Sequence, residues 1–314
     1  MSQVERSERV PWSWVCAKGG VRLRTFFRGS NLWGYVFSAP WIASFLVFGA
    51  YAMGFGVYLA FHKWDILAPS KPFVGLSNFQ WILLKDTQYI QSFFNVLRYV
   101  VVVVPGLMLA SLTAAILLNE PLKLRGFFRV MYYLPCVSLG IAVQVLFAWL
   151  FSTQGLINWV LSVVGIRGPA WWYEPFWAMP AISLMGIWGG FGFWTLVLLA
   201  GLQGIPPEFY EVAQIDGANW WQRHRHITIP LLNPTLLMQT IFITVGALQM
   251  FSQPFIMTGG GPMGSTRTPV LLLYWEGFTY MNMGRASAIG IVLAIVILAI
   301  VLLQRRLIER TIDY

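Results

Sequence analysis

Six long stretches of this 314-residue chain contain no Asp, Glu, Lys or Arg: 29–62, 99–119, 130–166, 175–207, 226–266 and 286–304. That spacing constrains the fold more than any other feature. A membrane-spanning helix needs roughly 20 mostly apolar residues. In lipid, every backbone N–H and C=O must be paired within the protein, which leaves helices as the economical solution. The gaps predict an all-α, polytopic membrane protein with six transmembrane helices, near 34–62, 94–118, 130–151, 177–202, 233–257 and 286–304. The third gap could hold more than one span. However, Ser152, Thr153, Gln154, Gly155, Asn158 and Gly165 mark 152–170 as a loop with a short helix. Only 11% of residues are charged, against about 25% in soluble domains, too few to cover a water-facing surface of this size. The 16 Trp residues suit the bilayer interface.

Charge placement orients the spans. With both termini inside, the cytoplasmic segments hold Arg6, Arg9, Lys18, Arg22, Arg24, Arg28, Lys123, Arg125, Arg129, Arg223, Arg225, Arg305, Arg306 and Arg310. The outer loops hold only Lys63, Lys71, Lys85, Arg167, Arg267 and Arg285. This asymmetry predicts cytoplasmic termini, with tails at 1–32 and 305–314 around a membrane domain at 33–304. It also accounts for the net charge of +9 without nucleic acid. The first apolar stretch is too long for a signal-peptide core and lacks a small-residue cleavage site, so it is expected to remain in the mature protein. Arg22, Arg24 and Arg28 beside Phe26 and Phe27 suit an anchor lying on the lipid surface. The two cysteines, Cys16 and Cys136, match no metal or redox spacing.

One long polar insertion falls inside, at about 203–231. Pro206 and Pro207 suit a turn and the first positions of a helix. Glu208 and Glu211 then meet the positive end of the helix dipole, and Gly217 can end the helix in a left-handed conformation. A second short helix runs from about 219 to 228, and Pro230 and Pro234 open the fifth span. Phe209, Tyr210, Trp220 and Trp221 supply apolar surface. These residues suit either an interfacial helix on lipid headgroups or a helix that docks on a partner protein.

The wording of this insertion tips the balance. Glu211-Val212-Ala213-Gln-Ile-Asp216-Gly217-Ala218, followed by Ile227, Ile229-Pro230 and Pro234, resembles the signature loop of permeases from binding-protein-dependent ABC importers. That pattern is Glu-Ala-Ala, three residues, Gly, nine residues, Ile, one residue, Leu-Pro, and the intervals agree. Asp-Gly-Ala resembles the carbohydrate branch, which includes the maltose and glycerol-phosphate types. Phe73-Val-Gly-Leu-Ser-Asn-Phe79, Leu134-Pro135, Gly155-Leu-Ile-Asn158 and Thr258-Gly-Gly-Gly-Pro262 with Ser265-Thr266 extend the resemblance over roughly 32–312. Two positions depart from it: Val212 replaces an Ala, and His224 stands where an aromatic is common. The large outer domain of some maltose-type permeases is absent.

The resemblance implies a type I ABC importer permease fold in the bacterial inner membrane. It implies a second permease subunit, usually a different chain, two ATPase subunits, an extracytoplasmic solute-binding protein and a sugar-like solute. The chain itself would hold no cofactor; ATP and Mg would belong to the partner ATPase. Glu211 would pair with the ATPase, Ala213 and Ala218 would allow close approach, and Asp216 and Gly217 would fix the turn. His224 would meet the ATPase cleft, and Ile227 and Pro230 would complete the segment that leads into the fifth span.

The residues themselves support no catalytic reading. Gly259-Gly-Gly-Pro-Met-Gly264-Ser-Thr266 lacks the Lys of a phosphate loop and is expected to be a flexible outer loop near the binding protein. His62, His224 and His226 are the only histidines, and no paired carboxylates lie within the spans. For the solute path, Gln249, Ser252 and Gln253 cluster before Pro254, where a helix should kink and free backbone groups. Trp188 and Trp194 supply aromatic faces and Asn95 an amide. Gln144 and Gln239 read instead as helix–helix glue, and Arg98 as a side chain snorkelling to the interface. The readings that compete are another cargo (a polyol, glycerol phosphate, an amino acid or a peptide), a membrane-embedded enzyme, and a self-sufficient carrier. The last two lack the polar groups deep in the spans that they would need.

Overall fold

The structure, a computed structural model, describes residues 29–120, 125–137 and 140–308. The expectations for the tail at 1–28, for Lys123 and for Arg310 lie outside them. The chain divides into two compact units, Met1–Phe55 and Gly56–Tyr314. A 27-residue apolar helix, α1 (Gly34–Ala60), crosses the boundary between them. Its large side chains are exposed, Phe37, Trp41 and Phe48 among them.

The second unit is built on α2 (Thr87–Asn119), α6 (Pro175–Gln203), α9 (Asn233–Leu248) and α10 (Met283–Ile308). Asp86 starts α2 by accepting a hydrogen bond from the Gln88 amide at 2.9 Å. This satisfies one of the donors that every helix start leaves open. The buried face of α2 carries Val96, Tyr99, Val103 and Leu107, which pack on Met179, Ile182 and Met185 of α6 and on Ile243 and Ala247 of α9. Further along, Ala115 and Leu118 meet Leu198, Leu199, Leu202, Leu232 and Leu236.

Between lipid-exposed helices the hydrophobic effect supplies little attraction, so small residues and polar bridges hold them together. Gly192 illustrates the first. A Cβ there would run into the Tyr132 carbonyl on α3 (Arg125–Val137). Gln239 illustrates the second: it donates to the Ser111 hydroxyl at 2.7 Å, and Gln304 donates to Thr244 at 2.7 Å. Such bridges contribute about 0.6 kcal/mol on average.

Among the described residues, four helices are long and apolar enough to cross a membrane, and the count reaches six if each of two bent pairs is one span. Val130–Cys136 and α4 (Ile141–Leu150) both fall within the third expected span, and residues 138 and 139 between them lie outside the described residues. Trp220–Leu231 (α8) and Asn233–Leu248 (α9) meet at 68°. Pro234, at the first positions of α9, has no N–H to continue the ladder. The fifth expected span is also shorter than 233–257, because the helix stops at Leu248 and Gln249 leaves helical geometry. Between α4 and α6 lies the expected short helix, α5 (Leu156–Val163).

Among the described residues, β structure is limited to the isolated bridges His62–Phe73 and Asp65–Asn282. The phrase Phe73–Phe79 has a structural use. Asn78 is buried, and its amide donates to the Ala60 carbonyl at 2.8 Å and the His62 carbonyl at 3.0 Å. It thereby satisfies acceptors that the end of α1 leaves open.

Candidate functional site

Two irregular segments flank α9, one at each end. The first is the polar insertion. Pro207 precedes α7 (Glu208–Ile215), whose first turn holds Glu208 and Glu211. Gly217 adopts φ +77°, as the sequence predicts. The Ala218 amide reaches back to the Ala213 carbonyl at 2.9 Å and the Gly217 amide to Gln214 at 3.0 Å. This double bond pattern is the Schellman ending, which requires a left-handed residue just past the helix. It joins Ala213, Asp216, Gly217 and Ala218 in one tight turn.

The start of α8 holds a device that the sequence reading missed. Asn219 accepts from the Gln222 amide at 2.9 Å, while the Gln222 side chain accepts from the Asn219 amide at 2.8 Å. This is a capping box, and its signal, Asn followed three residues later by Gln, was available. His224 lies against Trp220, with ring centres 4.3 Å apart. Its Nδ1 is 2.9 Å from the Thr228 hydroxyl, which is itself 3.0 Å from the Tyr210 phenol. Burial holds the His224 pKa below its ordinary value of 6.5; Glu120 opposes that shift and Arg223 adds to it. His226 is exposed, with Nδ1 3.0 Å from the Gln222 carbonyl. Ile227 is half-buried and Pro230 lies in the last turn of α8.

The outer side of α7 is unusual. Glu208, Glu211, Val212 and Ile215 fall at i, i+3, i+4 and i+7 and are all exposed, Ile215 at 86%. A helix stripe that mixes two carboxylates with bare aliphatic groups suits a protein surface better than an acyl interior, where an unpaired carboxylate is costly.

The second segment follows α9. A cavity of about 520 Å3 opens here between α2, α6 and α9. Gln249, Ser252, Gln253 and Trp194 line it together with Tyr99, Phe242 and Phe251. Gly186, Gly189, Gly190 and Gly246 form bare stretches of its wall. None of the lining side chains carries a charge. Ser252 accepts from the Gln144 amide at 3.1 Å and donates to Gln253 at 3.3 Å. Gln144 therefore bridges helices, as expected, but it does so through a cavity residue.

Two other residues expected on the solute path lie elsewhere. Trp188 packs on Phe147, with ring centres 5.0 Å apart, and is not part of the cavity wall. Asn95 is buried and donates to the carbonyls of Gly264 at 2.7 Å and Arg267 at 3.0 Å. With both amide hydrogens on that backbone, it clamps the Gly-rich loop. The loop, expected to be flexible, is cross-braced. Thr258 and Thr266 meet at 2.6 Å, Thr266 donates to Gly261 at 2.8 Å, and Gln91 donates to Met263 at 3.1 Å.

Apolar helices of spanning length around an uncharged polar cavity, with an exposed acidic and aliphatic stripe on α7, define a helical membrane transport protein. The chain belongs to the family of binding-protein-dependent transport system inner membrane components, whose family model matches residues 106–313. It is similar to the trehalose/maltose transport system permease protein MalF of Thermococcus litoralis, 34% identical over 267 residues, covering 85% of this chain and 90% of that protein. It is also similar to the lactose transport system permease protein LacF of Rhizobium radiobacter, 35% identical over 277 residues, covering 86% and 92%. Its fold matches a crystal structure of a bacterial ABC transporter involved in the import of the acidic polysaccharide alginate. That match has a TM-score of 0.79 and 26% identity, covering 90% of this chain and 97% of the other.

Proposed function

We propose that this chain is the permease subunit of an ATP-driven, binding-protein-dependent importer for a neutral sugar or oligosaccharide. It crosses the inner membrane six times, with α8 on the cytoplasmic side of the fifth span and both termini in the cytoplasm. A second permease subunit completes the translocation path. Two ATPase subunits bind ATP and Mg, and an extracytoplasmic protein delivers the solute. The observation that carries this reading is the exposed stripe Glu208, Glu211, Val212 and Ile215 on α7. It supports docking on a protein with matching basic or amide groups, and Glu211 is the residue placed to pair with them. Ala213 and Ala218 keep the turn thin enough for close approach, while Asp216 and Gly217 hold its shape.

Closure of the ATPases on ATP displaces α7, and the motion passes through α8 and the 68° bend to α9. At the far end of α9 lie Gln249, Ser252 and Gln253 with Trp194. Amide and hydroxyl groups beside aromatic faces suit sugar hydroxyls and the apolar faces of pyranose rings. The uncharged wall supports a neutral glycan, unlike the acidic polysaccharide of the structural relative. Uptake of a panel of radiolabelled di- and trisaccharides into vesicles holding the assembled importer tests the reading. Glu211→Lys is expected to abolish uptake while assembly persists. Uptake at the normal rate from an assembled Glu211→Lys complex would overturn it.

A further inference from the structure

The signature around the insertion specifies Ile227 and Ile229-Pro230 but leaves residue 228 open. Thr228 occupies that place and is fully buried. Its hydroxyl lies between two elements: 3.0 Å from the Tyr210 phenol on α7 and 2.9 Å from His224 Nδ1, one turn back on α8. We propose that Thr228 is the positioning residue that locks α7 to α8, so that the two short helices move as one body. The proposal rests on the coupling role given above.

Three observations carry it. First, α7 has eight residues, too few to hold a helix by itself; its outer stripe faces the partner, so its hold on the rest of the permease must come from its inner face. Tyr210 is on that face. Second, apolar packing there is incomplete. A cavity of about 160 Å3, lined by Glu120, Leu202, Tyr210, Trp220 and His224 among others, separates α7 and α8 from the ends of α2 and α6. Beside that gap, the Tyr210–Thr228 bond ties α7 directly to α8. Third, the bond set is consistent. A hydroxyl can donate once and accept as well. Thr228 can donate to a neutral His224 Nδ1 and accept from the Tyr210 phenol, so all three polar groups are satisfied. The lowered pKa of His224 agrees with the neutral form.

The test uses the complete importer in nanodiscs, with Cys16 and Cys136 replaced by Ser and spin labels at Gln214→Cys on α7 and Arg225→Cys on α8, both exposed. Electron–electron resonance reads their separation without nucleotide and with trapped ATP. A locked pair gives one narrow distance that is the same in both states. Thr228→Val keeps the shape of the side chain and removes the hydroxyl; it is expected to broaden the distance and make it depend on ATP. Thr228→Ser is expected to restore the narrow distance. A narrow, ATP-independent distance in Thr228→Val overturns the proposal. Should Thr228→Val fail to assemble, Tyr210→Phe removes one bond alone and is judged by the same two outcomes. Failure of the coupling reading is visible separately. An Ile215→Cys permease that reacts with a maleimide as fast in the assembled importer as alone means that α7 docks on nothing, and both readings fall.

Discussion

The two ends of α9 carry opposite chemistry. At Trp220–Leu231 the chain is charged and hydrogen-bonded to itself, with acidic and aliphatic groups facing outward from the neighbouring α7. At Gln249–Gln253 it is polar without a single charge and lines a cavity. The difference fits what each end meets on the proposed reading. A protein partner is recognised by paired charges and shape, and the charges stay in contact with water until docking. A neutral solute crossing a membrane must meet hydrogen-bonding groups without the cost of charges held in a low-dielectric path. On the proposed reading, one helix links the surface that meets the ATPase with the surface that meets the solute.

The comparison breaks most visibly at Gly217. Gly217→Pro cannot reach φ +77° and loses the amide bond to Gln214, at a cost of about 3 kcal/mol. Uptake per assembled complex is expected to fall roughly a hundredfold, while binding at the cavity end, read by tryptophan quenching, stays intact. A fall in both would mean that the ends are not separable.

The next test attacks the cavity end. A Cβ built on Gly246 meets nothing within 4 Å, yet Gly246 borders the cavity. Gly246→Trp is expected to block uptake without altering ATP hydrolysis or assembly. Gly246→Ala is expected to preserve uptake of small sugars and to stabilise α9 by about 0.5–1 kcal/mol in thermal unfolding.

Smaller effects sharpen the division. Gln253→Leu removes one hydrogen-bonding group and is expected to raise the KM for uptake by roughly tenfold with kcat little changed. An unchanged KM would remove Gln253 from the path. At the other end, burial holds the His224 pKa below 6.5. The folded state therefore takes up its proton at lower pH than the unfolded chain does. The stability this confers is present above about pH 6.5 and is lost as pH falls through the lowered value. The protection of α8 amides against hydrogen exchange, relative to their intrinsic rates, is expected to fall modestly in acid, and His224→Phe to flatten that dependence. An equal acid response in His224→Phe would assign it to another group.

Much of the insertion was legible. Gly217 takes the left-handed turn, and α7 begins at Glu208, because local chemistry decides both. The cavity cluster was legible in part: Gln249, Ser252, Gln253 and Trp194 come together, whereas Trp188 and Asn95 do not. Nothing in the sequence says that Asn95 faces the Gly-rich loop, because that contact spans about 170 residues of chain.

The sequence by itself determined the class: charge-free stretches of spanning length dictate membrane helices, and Gly217 dictates the left-handed turn that ends α7. Only the tertiary structure decided which faces meet, where the cavity opens and that Thr228 joins two helices. The physical reason lies in the solvent. In water, a buried face is written as an apolar stripe; in lipid, the outside is as apolar as the inside. Hydropathy then marks depth but not direction, and direction is settled by close packing and a few buried hydrogen bonds between residues far apart in the chain.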